Sequence, residues 1–89
     1  MIVEFTSTFN KDLANFKKNK TVQNDIFEAI ENMEEAENID EIRELKMLNR
    51  AKNSYRVRID KYRICLKIID DKIKLYYVDH RDIIYKRFP

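Results

Sequence analysis

The stretch "SYRVRIDKYRICLKII", residues 54–69, sets five basic side chains and one acid among residues that favour strands. Its period decides the fold. Apolar and polar residues alternate through "YRVRI", again through "YRICLKII", and in part through "IKLYYV" at 73–78. That two-residue period belongs to strands that bury one face. Asp60-Lys61 and Asp70-Asp71-Lys72 stand between the runs as turns, so the second half is expected to form an antiparallel meander of three strands.

Upstream the period is 3.6. Phe9, Leu13 and Phe16 recur on one helical face, with Thr6, Ser7 or Thr8 as the cap and "KKNK" at 17–20 as the end. Val22, Ile26, Ile30 and Met33 form a second apolar stripe, widened by Phe27 and backed by Glu28, Glu31, Glu34 and Glu35. Thr21 is the expected N-cap of this helix, and Asn38 its close. Residues 2–5, "IVEF", suit a short first strand. Within 39–53 only a helical turn near 40–45 is expected, and the rest stays open. The order β-α-α-β-β-β predicts one α+β domain over residues 1–89, a helix hairpin covering one face of a small antiparallel sheet.

Composition narrows the setting. The chain has no glycine, and its single proline is the last residue, so tight turns must draw on Asn, Asp or Lys. The longest apolar run, Leu75 to Val78, is too short for a membrane span or a signal-peptide core. One cysteine cannot close an internal disulfide, which makes a cytoplasmic setting the default. One Cys and one His do not supply the four ligands of a zinc site, and no metal or cofactor is expected. Residues 1–44 carry five Lys/Arg against eleven Asp/Glu, a balance of −6, while residues 45–89 carry thirteen against five, a balance of +8. Such polarity suits an anionic partner such as nucleic acid, and equally suits two halves that complement each other in the fold.

Strand parity assigns the charge to one face. Tyr55, Val57 and Ile59 fall on one side and Arg56 and Arg58 on the other; Ile64, Leu66 and Ile68 oppose Arg63, Cys65 and Lys67; Ile73, Leu75 and Tyr77 oppose Lys74, Tyr76 and Val78. The Val/Ile/Leu face must lie under the helices. The other then displays Arg56, Arg58, Arg63, Lys67, Lys74 and Tyr76 with no carboxylate among them. Like charges opposed across strands cost about 0.2–1 kcal/mol per pair, a cost that an RNA strand would offset through phosphate and base contacts. A merely solvated outer face is the plainer alternative.

After the last strand, "VDHRDIIYKRF" holds the only histidine, His80, then Arg81, with Tyr85 four residues beyond on the same face of a helical turn. Cleavage of RNA by its own 2′-hydroxyl needs a base, an acid and cations for the phosphorane. His suits the proton transfers and Arg the charge, while Tyr can stack a base or donate a proton. His80 could equally be a surface or capping residue, Tyr85 a core aromatic, Arg81 a partner of Asp79 or Asp82, and Cys65 a small buried filler.

Residues 55–88, "YRVRIDKYRICLKIIDDKIKLYYVDHRDIIYKRF", resemble the C-terminal half of the RelE/ParE superfamily of type II toxin–antitoxin toxins, and "FNKDLANF" at 9–16 before an acidic helix fits its layout. The resemblance implies the same α+β fold. For the RelE branch it implies an mRNA interferase, an endoribonuclease that cuts mRNA in the ribosomal A site without a metal. The implied partners are an antitoxin, mRNA and the ribosome, with no membrane. The family's functional positions carry over to Arg56 and Arg58, Arg63, Arg81 and Tyr85, and His80 matches a histidine found in many branches. Two departures stand out. Asp60-Lys61 replaces the glycine often found before "YR", and Arg56 and Arg58 stand where some members have lysine. Arginine holds its proton too firmly for a base, which shifts that duty toward His80. The candidates are thus Arg63, His80, Arg81 and Tyr85 for catalysis and Arg56, Arg58, Lys67, Lys74 and Tyr76 for RNA binding. A ParE-like gyrase inhibitor and a non-catalytic RNA-binding domain are the alternatives.

Overall fold

A computed structural model describes residues 1–49 and 51–87; Arg50, in the connection left open above, and Phe88 and Pro89 lie outside them. The elements run β1 (Ile2–Phe5), α1 (Ser7–Ala14), α2 (Lys20–Glu35), a 3-10 turn (Ile39–Glu41), β2 (Leu45–Met47), β3 (Ser54–Ile59), β4 (Tyr62–Ile69), β5 (Lys72–His80) and α3 (Arg81–Arg87). The five strands are ordered β1-β5-β4-β3-β2. The meander is antiparallel, and β1 joins its far edge parallel to β5, so the sheet is mixed.

Local chemistry explains the boundaries. Thr6 caps α1 by accepting the Phe9 N–H at 3.1 Å, and its hydroxyl donates to the Leu75 carbonyl at 2.8 Å, tying the helix start to β5. Asn19 rather than Thr21 caps α2, its side chain accepting the Val22 N–H at 3.2 Å. The helix ends at Ala36, and Asn38 instead caps the 3-10 turn through the Asp40 N–H. Without glycine, left-handed backbone falls on Asn53, Asp60, Asp70, Asp71 and also Glu44. Asp70 and Asp71 together give the two positive-φ residues of a type I′ hairpin.

One strand was not expected. Leu45 continues the helical spacing of Ile39 and Ile42 in sequence, yet Leu45–Met47 pair with β3 in the register Leu45↔Val57, Lys46↔Arg56 and Met47↔Tyr55. Three residues cannot show a period, and the pairing is dictated by the open edge of β3.

The helices pack where parity placed them. Phe9, Ile26 and Met33 bury completely against Ile64, Leu66, Ile73 and Leu75. The parity of β5 needs a correction. Cys65 pairs with Tyr77 and Leu66 with Leu75, which leaves Tyr76 as the extra residue of a β-bulge. Beyond it the faces exchange. Val78 enters the core with Ile64, while Tyr77 and Asp79 come to the outer face beside Cys65 and Arg63.

On that outer face α3 packs against β4 and β5. Ile84 and Cys65 are buried apart from the main core. Burial pushes the Cys65 thiol up to about 12, against the pull of Arg87 and Arg56. The folded thiol therefore keeps its proton where an unfolded one, near 9.0, has lost it, and stability falls as pH rises from 9 toward 12. Cys65 is expected to resist iodoacetamide at about pH 9 and to react promptly in urea; alkylation of the native protein at the unfolded rate would show the thiol to be uncovered.

Candidate functional site

The outer face carries two basic clusters with α3 between them. At the hairpin end, Arg58 on β3, Arg63 on β4 and Arg81 at the start of α3 line an open cleft of about 440 Å³ together with Glu44 and Asp60. Arg58 and Arg63 are cross-strand partners. The chain enters α3 beside them because the Arg81 N–H donates to the Lys61 carbonyl at 2.8 Å, joining the helix start to the β3–β4 turn.

Arg63 is the most constrained of the three. Its Nη1 donates to the carbonyls of Asp60 at 2.7 Å and Tyr62 at 2.8 Å. The residue is 8% exposed, and among the described residues its Nε–H has no partner. Among the described residues no carboxylate lies within 4 Å of it. Asp79 opposes it across the strands, but that carboxylate is taken by the Arg87 Nη1 at 2.9 Å and the His80 N–H at 2.8 Å. A buried guanidinium without a counter-charge is costly unless an anion arrives.

The expectation of a face without carboxylates is corrected. Glu44 reaches the cleft from the turn before β2, and its Oε2 meets the Arg58 Nη2 at 2.9 Å. Its backbone is left-handed, φ 60°, and its carbonyl accepts the Arg58 N–H at 3.3 Å. A glutamate in that region stores about 1–3 kcal/mol of strain, which the surrounding bonds must hold. Asp79 arrives through the bulge. The first could not be read from strand parity, because it lies in a loop. The second had a visible signal, the unbroken apolar run Leu75-Tyr76-Tyr77-Val78, where alternation fails.

His80 is not brought to this cleft. It pairs with Tyr62 at the end of β5, and its ring lies edge-on to the Tyr62 ring, centroids 5.7 Å apart, with Phe16 beyond at 5.1 Å from Tyr62. That is the helix-covered side of the sheet. Its Nδ1 accepts the Asp82 N–H at 3.2 Å, capping α3. The same Nδ1 stands 3.6 Å from the Asp82 carboxylate. Tyr85, 61% exposed, lies on the same flank of α3 as Arg81 but outside the cleft lining.

The second cluster lies four residues along β4. Lys67 and Lys74 are cross-strand partners, and their ammonium groups stand 5.7 and 5.8 Å from the centre of the Tyr76 ring. The bulge gives Tyr76 this position, with Tyr77 beside it at 6.4 Å. Arg56 sits between the clusters, opposite Cys65. No group of three side chains able to hold a metal ion forms among the described residues, and no described helix is long and apolar enough to cross a membrane.

The family model described as ParE toxin of type II toxin–antitoxin system, parDE, matches residues 3–85. Among solved structures, a chain of the RelB–RelE antitoxin–toxin complex from Methanococcus jannaschii is 30% identical, with 97% of this chain and 99% of that chain covered and a TM-score of 0.78. YafQ from E. coli shares the fold at 10% identity, 93% and 96% coverage and a TM-score of 0.73. The YoeB dimer from Staphylococcus aureus does so at 18% identity, 91% and 97% coverage and a TM-score of 0.72. Comparison with curated proteins gives no match. A family model covering nearly the whole chain, joined by a full-length RelE-type neighbour on the same α+β frame, makes this chain a member of the RelE/ParE superfamily of type II toxin–antitoxin toxins.

Proposed function

We propose that the chain is a metal-independent endoribonuclease that cleaves mRNA in the cytoplasm, at the ribosomal A site, and is held inactive by a cognate antitoxin. The observation that carries this reading is Arg63, buried, without a carboxylate partner among the described residues, and set in one cleft with Arg58 and Arg81. Three guanidinium groups around one opening suit a phosphate whose charge grows as the 2′-hydroxyl attacks. Glu44 is the cleft carboxylate fixed against a guanidinium, placed to accept the hydroxyl proton. Arginine cannot take that role, and the Nδ1 of His80 is engaged as a helix cap. His80 thereby passes from base to positioning residue. Tyr85, on the cleft flank of α3, would stack a base or protonate the leaving oxygen once RNA is bound.

Lys67, Lys74 and Tyr76 would hold RNA beyond the cleft. Four strand residues place them about 13 Å from Arg63, and Arg56 would add charge between. The neighbouring RelB–RelE structure is an antitoxin–toxin complex, which supports a protein partner that masks the cleft.

Primer extension on mRNA after induction should show cuts that require ribosomes. Arg63→Ala and Arg81→Ala should each lower cutting by about 100-fold or more, with circular dichroism unchanged. Glu44→Gln should cost about 100-fold or more if it is the base. Asn keeps an N-cap acceptor, so His80→Asn should retain cutting; its loss in a stably folded variant would return the imidazole to the chemistry. Intact mRNA in arrested cells would overturn the nuclease reading. The match to the ParE toxin model favours a second one, a gyrase inhibitor acting through protein contacts. Loss of DNA supercoiling activity with mRNA intact would establish it.

A further inference from the structure

We infer that Arg87 is a positioning residue, the clamp that fixes the free end of α3 and with it Tyr85. Three groups converge on it. Its Nη1 donates to the Asp12 Oδ1 at 3.1 Å and lies 3.0 Å from Oδ2. The same nitrogen donates to the Asp79 Oδ2 at 2.9 Å. The guanidinium carbon stands 4.6 Å from the centre of the Tyr77 ring, within reach of a cation–π contact. Burial works against the charge, but the hydrogen bonds and attraction of Asp12 and Asp79 outweigh it and hold the guanidinium above its ordinary range.

The clamp joins three elements. Asp12 belongs to α1, Asp79 to β5 and Arg87 to the last turn of α3. Asp12 is itself anchored, because its Oδ2 accepts the Val78 N–H at 3.1 Å. A helix of seven residues does not persist without tertiary contacts. The start of α3 is secured by the chain running out of β5, the His80 cap and the Arg81–Lys61 bond. Its middle is secured by buried Ile84. Its end has Arg87. The ties at the start leave Arg81 in place without the clamp, whereas Tyr85, two residues before Arg87, depends on it.

The consequence for catalysis rests on the nuclease reading, but the clamp is tested without it. Amide hydrogen exchange should show Tyr85, Lys86 and Arg87 exchanging about ten-fold faster or more in Arg87→Ala, while Cys65 and Leu66 on β4 keep their protection. Arg87→Lys, with one nitrogen able to meet both carboxylates, should restore part of it. Asp12→Asn, which keeps an acceptor for the Val78 N–H, and Asp79→Asn provide second routes should Arg87→Ala fold poorly, and both should loosen the same amides. In the cleavage assay kcat should fall about ten-fold or more with KM changed less than about three-fold, since the RNA-holding lysines are untouched. Unchanged exchange in Arg87→Ala and in both Asn variants would overturn the clamp. Faster exchange with kcat unchanged would overturn its link to Tyr85. A wild type that cuts no RNA would instead sink the nuclease reading and leave the exchange result to judge the clamp alone.

Discussion

The molecule is organised around an edge that β1 does not finish. β5 runs nine residues, yet β1 pairs with only Lys72 to Leu75. A buried backbone donor beyond that point must find a partner or cost about 1–3 kcal/mol. Asp12 supplies it for Val78, from the last turn and a half of α1. A carboxylate so placed is 6% exposed and needs a cation. Arg87 is that cation, and α3 is thereby drawn over the outer face. One unpaired stretch of strand thus fixes α1 at one side and the chain's last helix at the other.

The bulge at Tyr76 belongs to the same stretch. Without the extra residue, strict alternation would carry Tyr77 into the core and Val78 outward. With it, Val78 fills the core and Tyr77 offers its ring to Arg87, while Asp79 reaches the same guanidinium. The bulge also sets Asp79 opposite Arg63, yet among the described residues Arg63 stays without a counter-charge, because that carboxylate is spent on Arg87. Stability of the α3 end and availability of Arg63 for an anion therefore come from one arrangement.

The basic face is in consequence divided. The cleft of Arg58, Arg63 and Arg81 and the Lys67–Tyr76–Lys74 cluster stand at two ends, with buried Cys65 between. Among the described residues the cleft carboxylate Glu44 pairs only with Arg58, and both side chains are about half exposed, so that pair contributes little to stability, about 0–1 kcal/mol. Its strained backbone is better explained by what it places in the cleft than by what it adds to the fold.

What could be read from the chain alone follows from period. The stripes of Val22, Ile26, Ile30 and Met33 and of Val57, Ile64 and Leu66 needed only local spacing to announce helices, strands and the face between them, and the same parity put Arg56, Arg58, Arg63 and Lys67 opposite. Period also announced turns at Asp60 and Asp70, since without glycine only such residues tolerate positive φ cheaply. It could not reveal β2, which is too short to show a period and exists because β3 has an open edge. Nor could it reveal Glu44 beside Arg58, His80 turned to Tyr62, or Asp12 and Arg87 joined across 75 residues. Those contacts arise where different elements meet, and only the packed chain brings their side chains within bonding distance.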